Sequence, residues 1–297
     1  MTAADEERRA DADLDEAVRL FAEQRGRLFG IAYRMLGTVS DAEDLVQETW
    51  IRWQNTDRGQ VEEPAAFLAT VITRLSINVL QSARVKRETY IGPWLPEPVS
   101  TQADPTLGAE RAEALQFAIL LLLEKLTPTE RAAYILREAF DYPYPRIAEV
   151  ISSSVVSARQ LVSRARTHLA SAKQAQIPLP RQRRLLEAFL TAARRGDARE
   201  LEELFAEDVV SYTDGNGVKL AARIPVAGRV RVAGFVAAFS GHFWAGKEIT
   251  WAEVNGQPAA VLVEDGKATT VVMVTAAGDE IEQLLWVMSP AKLGHVA

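Results

Sequence analysis

The sequence predicts two all-α units followed by an α+β domain, and the spacing of apolar residues is the main evidence. Between residues 14 and 90, and again between 107 and 173, apolar residues recur every three or four positions, which is typical of amphipathic helices. After residue 207 the spacing shortens towards two, which is typical of strands. The strand runs are separated by the hairpin signals Asn255-Gly256, Asp265-Gly266 and Gly278-Asp279.

Proline-containing stretches separate these units. Residues 91–106 contain four prolines, which lack an amide hydrogen and disfavour helix in the residue before them. Pro178 and Pro180 precede the α+β part. We therefore expect a first helical domain at 14–90, a linker at 91–106, a second helical domain at 107–175 and an α+β domain at 181–297.

The α+β domain is expected to begin with two helices. The first should run from about Gln182 to Arg195 and end at Gly196-Asp197, and a shorter one should continue to Glu207. Period-two segments then predict strands at 248–254, 259–263, 268–275 and 280–287.

Composition excludes several classes of protein. The chain has 297 residues and no cysteine, so disulfides, thiolate metal sites and thiol redox switches are ruled out. An acidic N-terminus and the lack of a run of about 18 apolar residues argue against a signal peptide and a membrane span, and predict a cytoplasmic protein. No phosphate loop or metal-binding carboxylate cluster is evident in the sequence, so we expect no cofactor and no metal.

The net charge of −6 conceals two basic segments. Basic residues exceed acidic ones by three over residues 70–90 and by four over residues 146–180, whereas residues 1–69 and 91–145 are acidic. Charge alone leaves two interpretations open, a solvated helix face and a contact with nucleic acid.

The clearest local signal begins at Thr127. This residue can cap a helix that has Pro128 in its first turn, and Glu130 can close a capping box. The helix should run to about Phe140.

Two more helices should follow, at 145–151 and 155–172, joined by a serine turn from which Ser154 caps the last helix. This is helix-turn-helix geometry, in which the last helix enters the major groove of DNA. An α-hairpin packed within the protein is the alternative. The apolar face of the last helix comprises Ala158, Leu161, Val162, Ala165 and Leu169, which leaves Arg159, Gln160, Ser163, Arg164 and Arg166 for solvent or DNA.

A helix in the first domain is predicted to begin at Ser40, which can form a capping box with Glu43. Its buried face is marked by Leu45, Val46, Trp50 and Trp53. Its outward polar face comprises Asp41, Asp44, Gln47, Glu48 and Arg52, for which the sequence shows no intrachain partner.

These segments resemble the extracytoplasmic-function (ECF) sigma factors. Residues 126–170 resemble region four, the module that reads the minus-thirty-five promoter element. Residues 37–50 are similar to the region-two helix that grips the β′ coiled coil of RNA polymerase, and residues 67–90 resemble the segment that opens and reads the minus-ten element. The two basic segments coincide with these two DNA-reading segments.

The linker resembles that of a narrower subgroup, whose members carry a SnoaL-like (NTF2-like) domain at the C-terminus. The subgroup's Trp-Leu-Pro-Glu-Pro motif stands at 94–98. Its Asp-Gly-Gly-Gly-Lys motif appears as Asp214-Gly215-Asn216-Gly217, with Lys219 one residue late, and its terminal Asn-Pro-Asp-Lys-Leu motif appears as Ser289-Pro290-Ala291-Lys292-Leu293. The resemblance implies two all-α sigma modules followed by an α+β SnoaL/NTF2-like cone.

Two positions depart from the family's pattern. Ser152 stands where a turn glycine is common, and Gln81 stands where a basic residue is frequent. The first departure places a side chain at a turn where glycine's conformational freedom is useful.

The resemblance implies a protein without catalytic residues that binds core RNA polymerase, through its β and β′ subunits, and promoter DNA. The polymerase-facing set would be Asp41, Asp44, Gln47, Glu48 and Arg52. The DNA-facing set would be Arg74, Asn78, Arg84, Lys86, Arg87, Arg159, Gln160, Ser163, Arg164 and Arg166. An interdomain regulatory set, through which residues 181–297 would control activity in cis, comprises Trp94, Leu95, Pro96, Glu97, Pro98, Asp214, Gly215, Gly217, Lys219, Pro290, Lys292 and Leu293.

Two alternatives remain open. SnoaL-like domains elsewhere house enzymes or bind small molecules, for which Asp208, Asp214 and His242 are the candidate acid and base groups. A helix-turn-helix regulator that acts without polymerase would explain residues 126–173 but leave the first basic segment without a role.

Overall fold

The computed structural model describes residues 3–87, 90–101, 117–174 and 177–296. Helices occupy α1 (Ala3–Leu36), α2 (Val39–Gln54), α3 (Pro64–Arg87), α4 (Phe117–Leu123), α5 (Pro128–Glu138), α6 (Tyr144–Val150), α7 (Val155–Gln174), α8 (Leu179–Arg195), α9 (Ala198–Leu204), α10 (Arg229–Ala238) and α11 (Ser240–Phe243), with short 3-10 turns at Arg58–Gln60 and Pro290–Lys292. Strands occupy β1 (Phe205–Asp214), β2 (Val226–Ala227), β3 (Glu248–Val254), β4 (Gln257–Glu264), β5 (Lys267–Ala277) and β6 (Glu280–Val287).

The described chain forms two compact units. The first unit contains residues 3–83 and 126–166, so it combines α1, α2 and most of α3 with the helix-turn-helix. The second unit contains the linker residues 90–101, α4, the end of α7 and residues 177–296.

The first unit has its core between α1, α2 and α3. Ile31 and Met35 of α1 and Ile72 of α3 are fully buried, as expected for apolar residues at helical spacing. The buried Trp53 of α2 donates its indole N–H to the Ala17 carbonyl of α1 at 3.2 Å. Trp50 is only half-buried, although it was expected in the buried face of α2, and its ring lies 5.0 Å from that of Phe21.

The start of α2 corrects one prediction. The N-cap is Thr38, which has extended backbone angles, whereas Ser40 already lies in the first helical turn. The Thr38 hydroxyl donates to Asp41 at 2.5 Å, and Glu43 accepts from Arg25 at 2.6 Å. The predicted capping box between Ser40 and Glu43 is therefore wrong, because both residues are inside the helix and Glu43 has another partner.

The helix-turn-helix begins with the predicted capping box. The Thr127 hydroxyl accepts from the Glu130 amide at 3.3 Å, and the Glu130 carboxylate accepts from the Thr127 amide at 3.1 Å. The turn before α7 has Ser152 in the left-handed region, with φ of 53°, and the Ser154 hydroxyl accepts from the Ser157 amide. The five predicted apolar residues of α7 are all buried.

The second unit is built on a six-stranded sheet, within the described residues, of order β2-β1-β6-β5-β4-β3. Strands β1 and β6 are parallel and the other neighbours are antiparallel. Alternate residues of β5 face opposite sides, because Val272 and Val274 pack against α8 to α11, whereas Val271 and Met273 pack with Leu95 and α4. Both faces of the sheet are therefore covered.

The predicted hairpins β3–β4, β4–β5 and β5–β6 are confirmed. Asn255 and Gly256 both have positive φ, as do Asp265 and Gly266, which is the geometry that the Asn-Gly and Asp-Gly signals indicate. The predicted helix to Glu207 is wrong at its end, since α9 stops at Leu204 and β1 begins at Phe205.

One helix has a membrane-like composition. Helix residues Pro64–Ser82 are long and apolar enough to span a bilayer. The sequence-based expectation did not include this candidate, because the segment has no uninterrupted apolar run. In the first unit this helix contributes the buried residues Leu68, Ala69 and Ile72 to the core. A core helix of a soluble protein meets the same criteria of length and composition.

Candidate functional site

The polar face of α2 is accessible, as predicted. Asp41, Asp44, Gln47 and Arg52 are exposed, and Glu48 is partly exposed. The expectation that this face lacks intrachain partners is wrong, because Arg52 donates to Glu48 at 2.8 Å and Asp41 accepts from Thr38. The Glu48–Arg52 pair is exposed, and such pairs contribute little to stability, so this face is available to a partner.

The first DNA-facing set is only partly described. Arg74 and Asn78 are exposed on α3, and the side chains of Arg84, Lys86 and Arg87 lie outside the described residues. Arg74 donates to two carbonyl oxygens at the end of α6, those of Glu149 and Val150, and to the Ser152 hydroxyl. In this arrangement its guanidinium is therefore bound to the helix-turn-helix.

The second DNA-facing set is exposed along α7, and its members differ in their contacts. Arg159 lies 5.4 Å from the ring of Tyr144, and Gln160 near the start of the helix is exposed. Arg164 pairs with Glu130 at 3.5 Å, and Arg166 pairs with Glu138 at 2.6 Å, a hydrogen bond that raises the pKa of Arg166. The first turns of α7 are thus the more accessible part.

Sequence reasoning missed an apolar residue on this surface. Val156 is 64% exposed in the first turn of α7, beside Val155, which is also exposed. Both valines are therefore accessible to a partner that binds the first turn of α7. The position of Val156 directly after the serine turn was the signal that could have identified it.

The interdomain motifs meet at Asp214 within the second unit. The buried Asp214 carboxylate accepts from the Leu95 amide at 2.7 Å and from Lys292 Nζ at 2.7 Å. It also accepts from the Tyr90 hydroxyl. Lys292 donates in addition to the Leu95 carbonyl at 2.5 Å. We call Tyr90, Leu95, Asp214 and Lys292 the Asp214 cluster.

Aromatic rings and a shifted pKa add to the electrostatics of the Asp214 cluster. Lys292 Nζ lies 4.2 Å from the ring centroid of Trp94 and 5.2 Å from that of Tyr90. Burial, together with the neighbouring Asp214 carboxylate, raises the pKa of the Tyr90 phenol, so that the phenol remains a hydrogen-bond donor at neutral pH. Tyr90 was not among the predicted site residues, although it directly precedes the linker motif.

Most of the remaining motif residues are buried or closely packed. Pro96, Glu97 and Pro98 are buried, and Leu293 packs in the same apolar cluster as Leu95. Pro290 begins the 3-10 turn that carries Lys292. A side chain at Gly215 would clash with Ala221, because an added Cβ would lie 2.1 Å from the Ala221 Cβ.

Lys219 does not belong to the cluster. It is exposed, and the cation that pairs with Asp214 is Lys292. Asn216 and Gly217 both have positive φ, so the chain turns between Asp214 and Lys219. Of the two lysines in the predicted interdomain set, Lys292 therefore contacts Asp214, whereas Lys219 is exposed to solvent.

A small apolar cavity of about 40 Å³ lies under α10 and α11 in the second unit. Its lining consists mainly of aromatic and aliphatic side chains, with Thr213 as a polar member. Of the candidate acid and base groups, Asp208 and His242 are exposed and Asp214 is held in the Asp214 cluster. Among the described residues, none of the three lines this cavity.

Comparison with known proteins defines the class. Residues 20–85 match the Sigma-70 region 2 family, and residues 116–169 match the Sigma-70, region 4 family. These are the modules of factors that bind core RNA polymerase and promoter DNA, and they act by binding rather than by catalysis.

Individual relatives narrow this class. The chain is 40% identical over 222 residues to the ECF RNA polymerase sigma factor SigJ of Mycobacterium tuberculosis, an alignment that covers 73% of this chain and 70% of SigJ. It is 32% identical over 194 residues to the probable ECF sigma factor SigI of the same species, covering 64% and 67% of the two chains. The chain therefore belongs to the ECF sigma factors.

A solved structure extends the likeness to the α+β domain. The crystal structure of M. tuberculosis SigJ matches with a TM-score of 0.75 and 32% sequence identity, and the match covers 94% of this chain and 99% of that chain. The predicted fold class, helical sigma modules followed by an α+β domain, is confirmed.

Proposed function

We propose that this chain is a cytoplasmic ECF sigma factor that directs promoter-specific initiation and is controlled in cis by its own C-terminal domain. The observation that carries the control step is the Asp214 cluster, in which a buried carboxylate and a buried lysine hold the backbone of the linker. The linker joins the two sigma modules along the chain, so fixing it restricts the conformations available to both modules.

The polymerase contact is assigned to the exposed polar face of α2, with the β and β′ subunits as its partners. Core residues such as Leu45, Val46 and Trp53 anchor the opposite side of this helix, so its orientation is fixed before polymerase binds. Asp44 and Gln47 supply an exposed polar centre to that face, flanked by Asp41 and the Glu48–Arg52 pair.

Charge reversal on α2 should test this assignment. We expect Asp44→Lys to weaken binding to purified core polymerase roughly tenfold or more, because it places a cation where the interface is built for an anion. Equilibrium titration of fluorescently labelled protein with core measures the effect. Glu62→Lys, an exposed acidic residue outside α2, is the matched control, and equal weakening by both variants would argue against the assignment.

Two helices are assigned to the promoter contact. Helix α7 is assigned to the minus-thirty-five element and α3 to the minus-ten element. In α7, we assign base reading to Arg159, Gln160 and Val156, and phosphate contact to Ser163, Arg164 and Arg166, because all six are exposed. In α3, Arg74 and Asn78, together with Arg84, Lys86 and Arg87, would follow the opened strand.

The two kinds of DNA contact should respond differently to mutation. We expect Arg159→Ala in the holoenzyme to cost about 1–3 kcal/mol of discrimination at one base pair of the minus-thirty-five element. Arg164→Ala should instead weaken binding to all sequences and reduce the slope of log affinity against log salt by about one. Titrations of matched and mismatched promoters at several salt concentrations separate these results. A uniform loss for Arg159→Ala would contradict its assignment to base reading.

A further inference from the structure

Arg74 makes an unusual set of contacts within the first unit. Its Nε donates to the Val150 carbonyl at 3.0 Å, and its Nη2 donates to the Glu149 carbonyl at 2.9 Å and to the Ser152 hydroxyl at 3.2 Å. The acceptors lie at the end of α6 and in the turn that leads to the recognition helix. One arginine on α3 therefore caps the last carbonyls of a helix that is more than 70 residues away in sequence.

The turn residue is adapted to this contact. Ser152 has φ of 53°, a conformation that glycine adopts without cost and that other residues adopt at some expense. Only a residue with a side-chain acceptor can receive the third hydrogen bond of Arg74. Ser152, which stands where a turn glycine was expected, therefore serves as a hydrogen-bond acceptor for Arg74.

The contact is in conflict with DNA binding by the same side chain. Arg74 lies in the segment assigned to the minus-ten element, yet the Nε and Nη2 edge that would bind a phosphate is directed at α6. The adjacent cleft in the first unit has a lining of mixed charge, which contains the acidic residues Asp57, Glu62, Glu63 and Glu149 and the arginines Arg52, Arg74 and Arg146. In this arrangement, the edge of Arg74 that is bonded to α6 therefore cannot also bind a promoter phosphate.

Other contacts support the same arrangement without using promoter-reading residues. Arg131 of α5 is buried and donates to the Met35 carbonyl of α1 at 2.6 Å. Arg27 of α1 donates to the Phe140 carbonyl at 3.3 Å and lies over the Tyr142 ring. These contacts form the more buried part of the interface between the modules, and Arg74 with Ser152 forms an exposed part that solvent or DNA can reach.

We propose that the Arg74–Ser152 contact is an intrachain clasp that holds the two sigma modules closed in the free protein and releases Arg74 to promoter phosphate in the holoenzyme. The proposal rests on the proposed sigma function. It makes Arg74 a residue with two alternative partners, the α6 carbonyls with Ser152 in the closed state and DNA in the open state. When a ligand or a polymerase surface separates the modules, Arg74 is released in the same step and can contact one promoter phosphate.

The test uses the full-length chain and two substitutions at one position. Ser152→Gly and Ser152→Ala both remove the hydroxyl acceptor, but only glycine also relieves the positive φ. Since Arg74 stays intact in both, we expect both to increase the open population and tighten binding to core polymerase about three- to tenfold. Ser153→Ala, in the same turn, is the control and should behave as wild type.

The closed and open populations can be measured directly because the chain has no cysteine of its own. Donor and acceptor dyes at Gln54→Cys in α2 and Ser163→Cys in α7 report the distance between the modules by single-molecule energy transfer, in the absence of DNA. An unchanged distance distribution and unchanged core affinity in both Ser152 variants would overturn the proposal. A change in Ser152→Gly alone would also overturn it, since backbone strain and not the hydroxyl would then be the cause.

A second measurement tests the release of Arg74 to DNA. Arg74→Ala in the holoenzyme should reduce the salt slope of promoter binding by about one, and an unchanged slope would show that Arg74 meets no phosphate. Failure of the clasp is distinguishable from failure of the sigma function. Wild-type protein that initiates transcription while its Ser152 variants remain closed refutes the clasp alone.

Discussion

Replacing Asp214 with alanine should destabilise the second unit by about 3–5 kcal/mol, because it leaves a buried cation without its counter-ion. Lys292 is 6% exposed and Asp214 is fully buried, so solvent does not screen their interaction. The substitution also removes the acceptor of the Leu95 amide and of the Tyr90 hydroxyl.

Urea unfolding followed by circular dichroism gives the size of this effect, and hydrogen exchange of the peptide covering residues 90–101 shows whether the linker is released. We expect faster exchange at Leu95 in particular. Asp279→Ala is the matched control, because Asp279 pairs with Arg181 at the exposed surface. An Asp214 variant as stable as this control would show that the cluster does not hold the linker.

Replacing Trp53 with alanine should destabilise the first unit by a similar amount, about 3–5 kcal/mol. Trp53 is 1% exposed, its ring lies 5.8 Å from that of Phe67 in the N-terminal turn of α3, and its indole N–H is bonded to Ala17 of α1. The side chain therefore joins three helices. Its loss opens a cavity and also leaves the Ala17 carbonyl without this donor.

Trp50→Ala provides the control for the Trp53 prediction, since Trp50 is on the same helix but only half-buried. We expect a clearly smaller loss of unfolding free energy for Trp50→Ala, measured by urea titration. Binding to core polymerase should fall with Trp53→Ala in proportion to the unfolded fraction. Equal losses for the two tryptophans would mean that the core of this unit is not centred on Trp53.

Local signals predicted the parts of the fold that depend on neighbours in sequence. The capping box of Thr127 and Glu130, the hairpin turns and the apolar face of α7 each need only a few adjacent residues, and all three were correct. The start of α2 was misplaced by two residues. Thr38 and Ser40 can both cap, and the left-handed turn at Gly37, which ends α1, determines which of them does so.

Strand β1 was missed for a different reason. Residues 198–207 continue a helical pattern without a breaker, whereas the strand from Phe205 is set by its parallel pairing with β6, more than 70 residues later. Pairing partners at that distance leave no local trace in one sequence.

The candidate sites show the same division between local and distant information. Motif spacing identified Asp214, Lys219 and Lys292 as members of one set, but it did not predict which lysine pairs with Asp214. The fold brings Lys292 to Asp214 from the C-terminal end. The exposure of the α2 and α7 faces followed from helical periodicity. The binding of Arg74 to the turn at Ser152 could not be predicted from periodicity, because it depends on the packing of α3 against the helix-turn-helix.

We propose that this ECF sigma factor is controlled by its fused domain through the Asp214 cluster. Run-off transcription with purified core polymerase tests it most directly, on a promoter selected from random-sequence DNA by the holoenzyme. We expect a promoter-dependent transcript with the wild-type chain, none with core alone, and a several-fold change in yield for Asp214→Asn at a temperature where this variant is folded. No transcript from the wild-type chain, or equal yields from wild type and Asp214→Asn, would contradict it.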